Sequence, residues 1–216
     1  MGKWEELLNE LREAAVIPEN CTGLRPFVCD RFPCQSEAIL IGENPATKLQ
    51  TNWWDFWDEV GGFKYEEFAK KYHEVRPKIS PTRRNLAHFR KHHGIPCVET
   101  NVYCNEAERG EEEEKVANDR VVEVLLENMP KLRAVVIHGA KARKFIGRDR
   151  RGQGISEALQ PLVARGIKIF HMCHLCNAGY GCIDTICDWI KANRLDKCPR
   201  CGSNSPSQCM GNGPAA

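Results

Sequence analysis

Hydrophobic positions along this chain follow two spacings. Residues 3–15 place Trp4, Leu7, Leu8 and Leu11 at i, i+3, i+4 and i+7, which is one face of a helix. Short unbroken apolar runs follow at wide intervals: Ala38-Ile39-Leu40-Ile41, residues 98–103, Ala134-Val135-Val136-Ile137 and residues 167–170. Runs this short, stopped by Gly42 and Pro45 or by Gly139, read as strands buried on both faces. The stretch with Pro26 and Pro33 reads as a loop, and residues 53–60 and 65–75 as helices. Pro81 opens a further helix through Leu86 and Phe89, and residues 116–129 carry Val121, Val122, Leu125 and Leu126 up to the stop at Pro130. Gly139 opens a short helix, and residues 182–194 form the last one. Apolar strands alternating with helices predict an α/β fold: a three-layer α/β/α sandwich with a central, mainly parallel four-stranded sheet. One domain is expected over residues 1–195, followed by a Cys/Gly/Ser-rich tail over 196–216.

Composition narrows the class. The 216 residues are 42% hydrophobic and 28% charged, a globular balance that excludes disordered and fibrous chains. No apolar run approaches the ~20 residues that cross a bilayer, and the charged amphipathic start lacks a signal-peptide core. The expectation is a cytoplasmic, intracellular monomer without a membrane partner.

The net charge of +2 identifies no partner, but its distribution is segregated. Arg76, Lys78, Arg83, Arg84, Arg90 and Lys91 lie in one stretch with three histidines, and Lys141, Arg143, Lys144, Arg148, Arg150 and Arg151 form a second. Residues 111–114 concentrate glutamate instead. Such segregation suits a polyanion, and DNA is the expected partner.

Open parallel sheets bind ligands beyond the carboxyl ends of their strands. The residues leaving the predicted strands are Gly42-Glu43-Asn44-Pro45-Ala46, Asn101, His138-Gly139-Ala140 and residues 171–174. Carboxylate, amide, imidazole and glycine turns thus share one rim.

In this order the motifs resemble those of the uracil-DNA glycosylase superfamily. Gly42-Glu43-Asn44-Pro45 looks like its first motif, His174-Leu175-Cys176 like its second, and Ser80-Pro81-Thr82-Arg83-Arg84-Asn85 like its DNA-gripping loop. Thr100-Asn101-Val102 sits where the family carries a base-reading Asn, and His138-Gly139-Ala140-Lys141-Ala142 resembles its strand-Gly-helix segment. The likeness spans residues 39–189.

The resemblance implies a monofunctional DNA glycosylase that hydrolyses the N-glycosidic bond of a flipped base. Asn44 would position the water with Glu43 as the reserve base, and His174 would stabilise negative charge on the departing base. Asn101 would read the base edge and Phe56 stack on it, with Trp54 and Trp57 as equal neighbours. Gly42 and Ala46 would line the pocket; uracil-restricted members have a bulky Tyr at the latter position. Uracil is the first substrate expected, and a bulky base such as hypermodified phage cytosine, in antiviral defence, the second. Ser80, Arg83, Arg84 and Lys141 would hold the DNA backbone, and Tyr180 or Leu175 would replace the family's intercalating Leu.

Twelve cysteines leave a rival reading. Cys173-x-x-Cys176 and Cys198-x-x-Cys201, with twenty-one residues between them, approach zinc-ribbon spacing. A tail site on Cys187, Cys198, Cys201 and Cys209 is equally available. The alternative function is a non-catalytic, zinc-dependent nucleic-acid-binding protein, and a third is a small-ligand α/β enzyme. Cys21, Cys29, Cys34 and Cys104 fall where some branches carry an iron-sulfur cluster, but the paired spacings are missing. No cofactor is expected for the glycosylase, beyond a structural zinc on the C-terminal cysteines.

Overall fold

Side chains alternate across a strand, so a strand covered on both faces divides its residues between two cores. The computed structural model describes residues 3–15, 23–45, 47, 49–105, 116–146 and 159–194. Its strands are β1 (Phe27–Cys29), β2 (Ala38–Gly42), β3 (Trp57–Asp58), β4 (Gly62–Phe63), β5 (Cys97–Asn101), β6 (Ala134–His138) and β7 (Lys168–Met172). Its α-helices are α1 (Lys3–Ala15), α2 (Tyr65–Val75), α3 (Pro81–Ala87), α4 (Asp119–Asn128), α5 (Ala140–Ile146), α6 (Gln160–Ala164) and α7 (Tyr180–Ala192). Ile39 and Ile41 of β2 and Val135 and Ile137 of β6 face a cluster with Leu7 and Leu11 of α1 and Val121 and Leu125 of α4. Ala38, Leu40, Ala134 and Val136 face the opposite cluster, with Leu86 of α3 and Ile183, Ile186 and Ile190 of α7. Helices therefore cover both faces of the sheet.

The sheet has five strands in the order β1-β5-β2-β6-β7. β2 is parallel to β5 and β6, β6 is parallel to β7, and β1 closes one edge antiparallel to β5. The four predicted strands are thus joined by a fifth, where a loop was expected after Pro26. Three residues are too few to show a period. Phe27 and Cys29 are nonetheless fully buried, and Phe27 pairs with Thr100 in register.

Residues 53–60 also depart from expectation. They form a short 3₁₀ turn, Trp53–Phe56, that runs into the β3–β4 hairpin. The Asn52 side chain accepts a hydrogen bond from Trp54 N–H at 2.9 Å, and the Asp58 carboxylate accepts from Val60 and Gly61 N–H to close the hairpin turn. Gly62 has φ +80°, and a Cβ there would strike the Arg31 carbonyl. The aromatic spacing taken for a helical stripe instead builds a ring cluster in which Trp53 stacks on Trp57 at 6.0 Å and on Phe63 at 5.4 Å. The α-helix expected through Phe89 ends at Ala87 and widens into a π-turn, His88–His92. The 196–216 tail lies outside the described residues.

Candidate active site at the carboxyl ends of the strands

Chain order around β2 reverses: β5 lies on one side of it, β6 and β7 on the other. A crevice beyond the strand ends is the usual consequence. Gly42 pairs with Asn101 across β2–β5, and His138 with Met172 across β6–β7, so the four strand ends stand level. A Cβ built on Gly42 would lie 2.7 Å from Asn101 Oδ1, 2.8 Å from His138 Cε1 and 3.0 Å from His138 Nε2. Glycine is required here for space: amide and imidazole close over its bare Cα.

Two features hold this group. The Asn118 amide Nδ2 lies 2.9 Å from the Asn101 carbonyl, 3.1 Å from Thr100 Oγ1 and 2.8 Å from the Pro26 carbonyl, fixing the end of β5. Beyond the strand, Val102 and Tyr103 N–H donate to the Gly42 and Glu43 carbonyls, each at 3.0 Å, so the turn after β2 is tied to that after β5. His138 is 5% exposed, and its Nδ1 has no hydrogen-bond partner among the described residues. Burial, aided by the neighbouring His174, pushes its pKa down to about 4. The ring is neutral at physiological pH. Sequence reasoning placed His138 in a motif but gave it no role; its position as the last residue of a buried strand was the available signal.

His174 joins the group from the loop between β7 and α7. Its ring meets that of His138 edge-on, with centroids 5.2 Å apart. Gly139, at φ +87°, admits this approach, since a Cβ there would sit 3.3 Å from His174 Cδ2. His174 Nδ1 accepts a hydrogen bond from Cys176 N–H at 3.3 Å and lies 3.1 Å from the Cys176 thiol. An accepting Nδ1 leaves the proton on Nε2, the exposed nitrogen, as a donor. The loop is anchored from beneath by Asn85 of α3, buried at 6% exposure, whose amide donates to the Leu175 carbonyl at 2.5 Å and the Ala178 carbonyl at 2.9 Å. Asn85 was quoted as a motif residue without a function.

Glu43 stands at the mouth, its carboxylate 2.7 Å from Lys141 Nζ in the first turn of α5. This hydrogen bond raises the Lys141 pKa. Asn44 is half-buried, and its amide donates to the Pro45 carbonyl at 3.3 Å; among the described residues no hydrogen bond joins it to His174. Ala46 lies outside the described residues. Phe56 packs edge-on against Phe68 at 5.6 Å and is 4% exposed. It also forms one wall of a small recess shared with Arg25, Thr47 and Phe68. Thr47 belongs to the segment leaving β2, so recess and rim border the same turn. Trp54 meets Trp53 edge-on at 4.6 Å, and Trp57 lies in the same ring cluster.

The expected DNA contacts divide. Ser80 caps α3, its Oγ accepting from Arg83 N–H at 3.2 Å, and Arg84 is exposed. Arg83 requires correction as a phosphate ligand. Its guanidinium turns inward and donates both Nη1 and Nη2 to the Glu99 carboxylate at 2.6 and 2.7 Å, over the Tyr72 ring at 4.6 Å. A buried carboxylate on β5 demands a partner, and Arg83 supplies it. Arg90 is likewise 8% exposed, beside Asp30 and Cys97. Leu175 is buried at 2%, which removes it as a wedge. Tyr180 is 50% exposed and stacks on His88 at 4.3 Å.

Cys173 and Cys176 are exposed beside His174, while Cys198, Cys201, Cys209 and Cys21 lie outside the described residues. Cys187 faces the core, and burial pushes its thiol up to about 12, an environment that opposes a thiolate metal ligand. Cys29 and Cys104 are buried, and burial pushes the Cys34 thiol up to about 11. Comparison of the chain with protein-family models and with curated proteins gave no match. Among the described residues no helix is long and apolar enough to cross a membrane.

Proposed function

We propose that this chain is a monofunctional DNA N-glycosylase with a uracil-DNA glycosylase-like fold. The observation that carries the reading is the meeting of Gly42, Asn101, His138 and His174 at the carboxyl rim of the sheet. Two of these side chains, the Asn101 amide and the His174 Nε2–H, suit a flipped base. An amide matches the adjacent N–H and C=O groups of a uracil-like edge. An imidazole N–H donates to the base oxygen as the bond breaks and the base becomes an anion.

His138 contributes by staying uncharged. Burial holds its ring neutral, so it adds no positive charge beside the His174 ring. Glu43 lies at the mouth, where a carboxylate stabilises an oxocarbenium-like sugar and accepts the proton of the attacking water. Water adds to C1′, the C1′–N bond breaks with its electron pair leaving on the base, and the base takes up a proton. Lys141 holds Glu43 and, exposed at 69%, is placed to reach a phosphate. Uracil is the first substrate and a bulkier modified cytosine the second.

The test is a panel of single- and double-stranded oligonucleotides carrying uracil, hypoxanthine and bulky modified cytosines, followed by alkaline cleavage at abasic sites. Cleavage with one of them, lost in Asn101→Ala and His174→Ala, is the expected result. A His174→Ala protein as active as the parent overturns the mechanism, and no abasic product from any substrate overturns the function.

A further inference from the structure

Behind the rim, the helix begun by α3 continues as the π-turn His88–His92, closed by a hydrogen bond from His93 N–H to the His88 carbonyl at 3.2 Å. In an α-helix the fifth residue on falls about 140° around the axis. The wider turn brings it back toward the same face, and π-turns of this kind are frequent at functional positions. His88 and His92 stack with centroids 4.5 Å apart, and His93 meets each of them at 4.9 Å. One ligating nitrogen from each ring lies within 4.8 Å of the other two.

Asp184 of α7 faces this cluster. A single carboxylate oxygen, Oδ1, lies 2.7 Å from His88 Nε2 and 2.7 Å from His93 Nε2. The His88 and His93 side chains are 16% and 8% exposed, whereas His92 is on the open side. The charged group opposing a cation is Lys191, whose ammonium is 3.1 Å from His93 Nδ1 but whose side chain is solvent-exposed. Three imidazole rings thus bring ligating nitrogens together, and the Asp184 carboxylate oxygen lies against two of them, His88 and His93.

We infer that His88, His92, His93 and Asp184 form a site for a borderline divalent transition ion, with Zn²⁺ the first candidate. Three imidazoles and a carboxylate suit four-coordinate zinc, and nitrogen ligands do not favour Mg²⁺ or Ca²⁺. Zn–N bonds of about 2.0 Å put tetrahedral ligand atoms about 3.3 Å apart. The imidazole nitrogens must therefore draw together, which exposed His92 achieves by side-chain rotation, while Asp184 Oδ1, at 2.7 Å from His88 and His93 Nε2, must move outward to that separation. Metal on Nε2 moves the remaining proton to Nδ1, so Lys191 turns outward on His93. The ion would pin the π-turn to α7, the helix that follows the His174 loop, and this holds whether or not the rim cleaves DNA.

The experiment titrates Co²⁺ and Zn²⁺ into metal-stripped full-length protein, reading visible absorption and thermal stability. Expected are cobalt bands of nitrogen and oxygen ligation and a zinc-dependent rise in Tm. Affinity should fall at least about tenfold in His92→Ala, the exposed ligand, and in Asp184→Asn. Circular dichroism confirms that both variants are folded. Binding that shows only thiolate charge transfer, or equal affinity in both variants and the parent, overturns the site.

Discussion

At the residue scale, Gly42 and His138 make separable demands. Gly42→Ala places a methyl against Asn101 Oδ1 and His138 Cε1, at 2.7 and 2.8 Å. Overpacking of this kind costs about 1–3 kcal/mol, but its first effect falls on the geometry of the amide and imidazole. If the proposed glycosylase activity is present, we expect its turnover to fall about 100-fold, with Tm lowered by only a few degrees, measured by single-turnover kinetics beside a thermal melt. His138 gives a pH signature independent of activity. Its folded pKa, about 4, lies below the ordinary 6.5, so the unfolded chain takes up the proton first as pH falls. Stability contributed by the neutral ring is complete above pH 6.5 and declines down to about pH 4, by a total of order 3 kcal/mol. Urea unfolding of the parent and of His138→Gln across that window should show the slope reduced in the variant. Equal slopes would mean that the imidazole is not buried neutral.

At the element scale, α3 is a strut between the sheet and the His174 loop, and two polar attachments supplement the apolar packing of Leu86. Asn85 holds the loop from below, and Asn85→Ala leaves two carbonyls without their donor. The expected loss is about 1–3 kcal/mol, with faster hydrogen exchange at residues 174–179 and weaker catalysis at unchanged DNA affinity. Unaltered exchange there would separate Asn85 from the loop. The other attachment is the Arg83–Glu99 pair. Burial pushes the Glu99 carboxyl up, but Arg83, by charge and hydrogen bond, together with the charges of Arg25 and Arg90, outweighs it and holds the pKa below the ordinary value. Arg83→Met therefore strands a buried anion, at about 3–5 kcal/mol, whereas the double change with Glu99→Leu should recover most of the loss. A double variant no more stable than Arg83→Met, by denaturant unfolding, would refute the pairing.

At the scale of the whole molecule, the sequence displays what is periodic or covalently local and conceals what depends on distant partners. β2 and β6 were legible because burial on both faces made them apolar, whereas β5, with Glu99, Thr100 and Asn101, and the partly exposed edge strand β7 showed only short apolar stretches. Phe27–Cys29 was not legible, since three residues become a strand only by pairing with β5 some seventy residues later. Arg83 and Arg90 read as surface because charge alone cannot reveal a buried Glu99 or a half-buried Asp30 as their partners. The same concealment revises the polyanion footprint. With those two guanidiniums turned inward, the first basic stretch presents Lys78, Arg84 and Lys91, all exposed, and the second presents Lys141, Arg143 and Lys144 among the described residues. Each phosphate contact contributes about 0.7 to the slope of log affinity against log salt on single strands and about 0.9 on duplex. Lys78→Ala with Arg84→Ala should therefore flatten that slope by about 1.4 to 1.8, whatever the base sequence, and leave turnover at saturating DNA unchanged. Fluorescence anisotropy over a salt series measures it. A slope that stays at the parent's value would move the DNA path off the face in front of α3, and with it the direction from which a flipped base enters the rim.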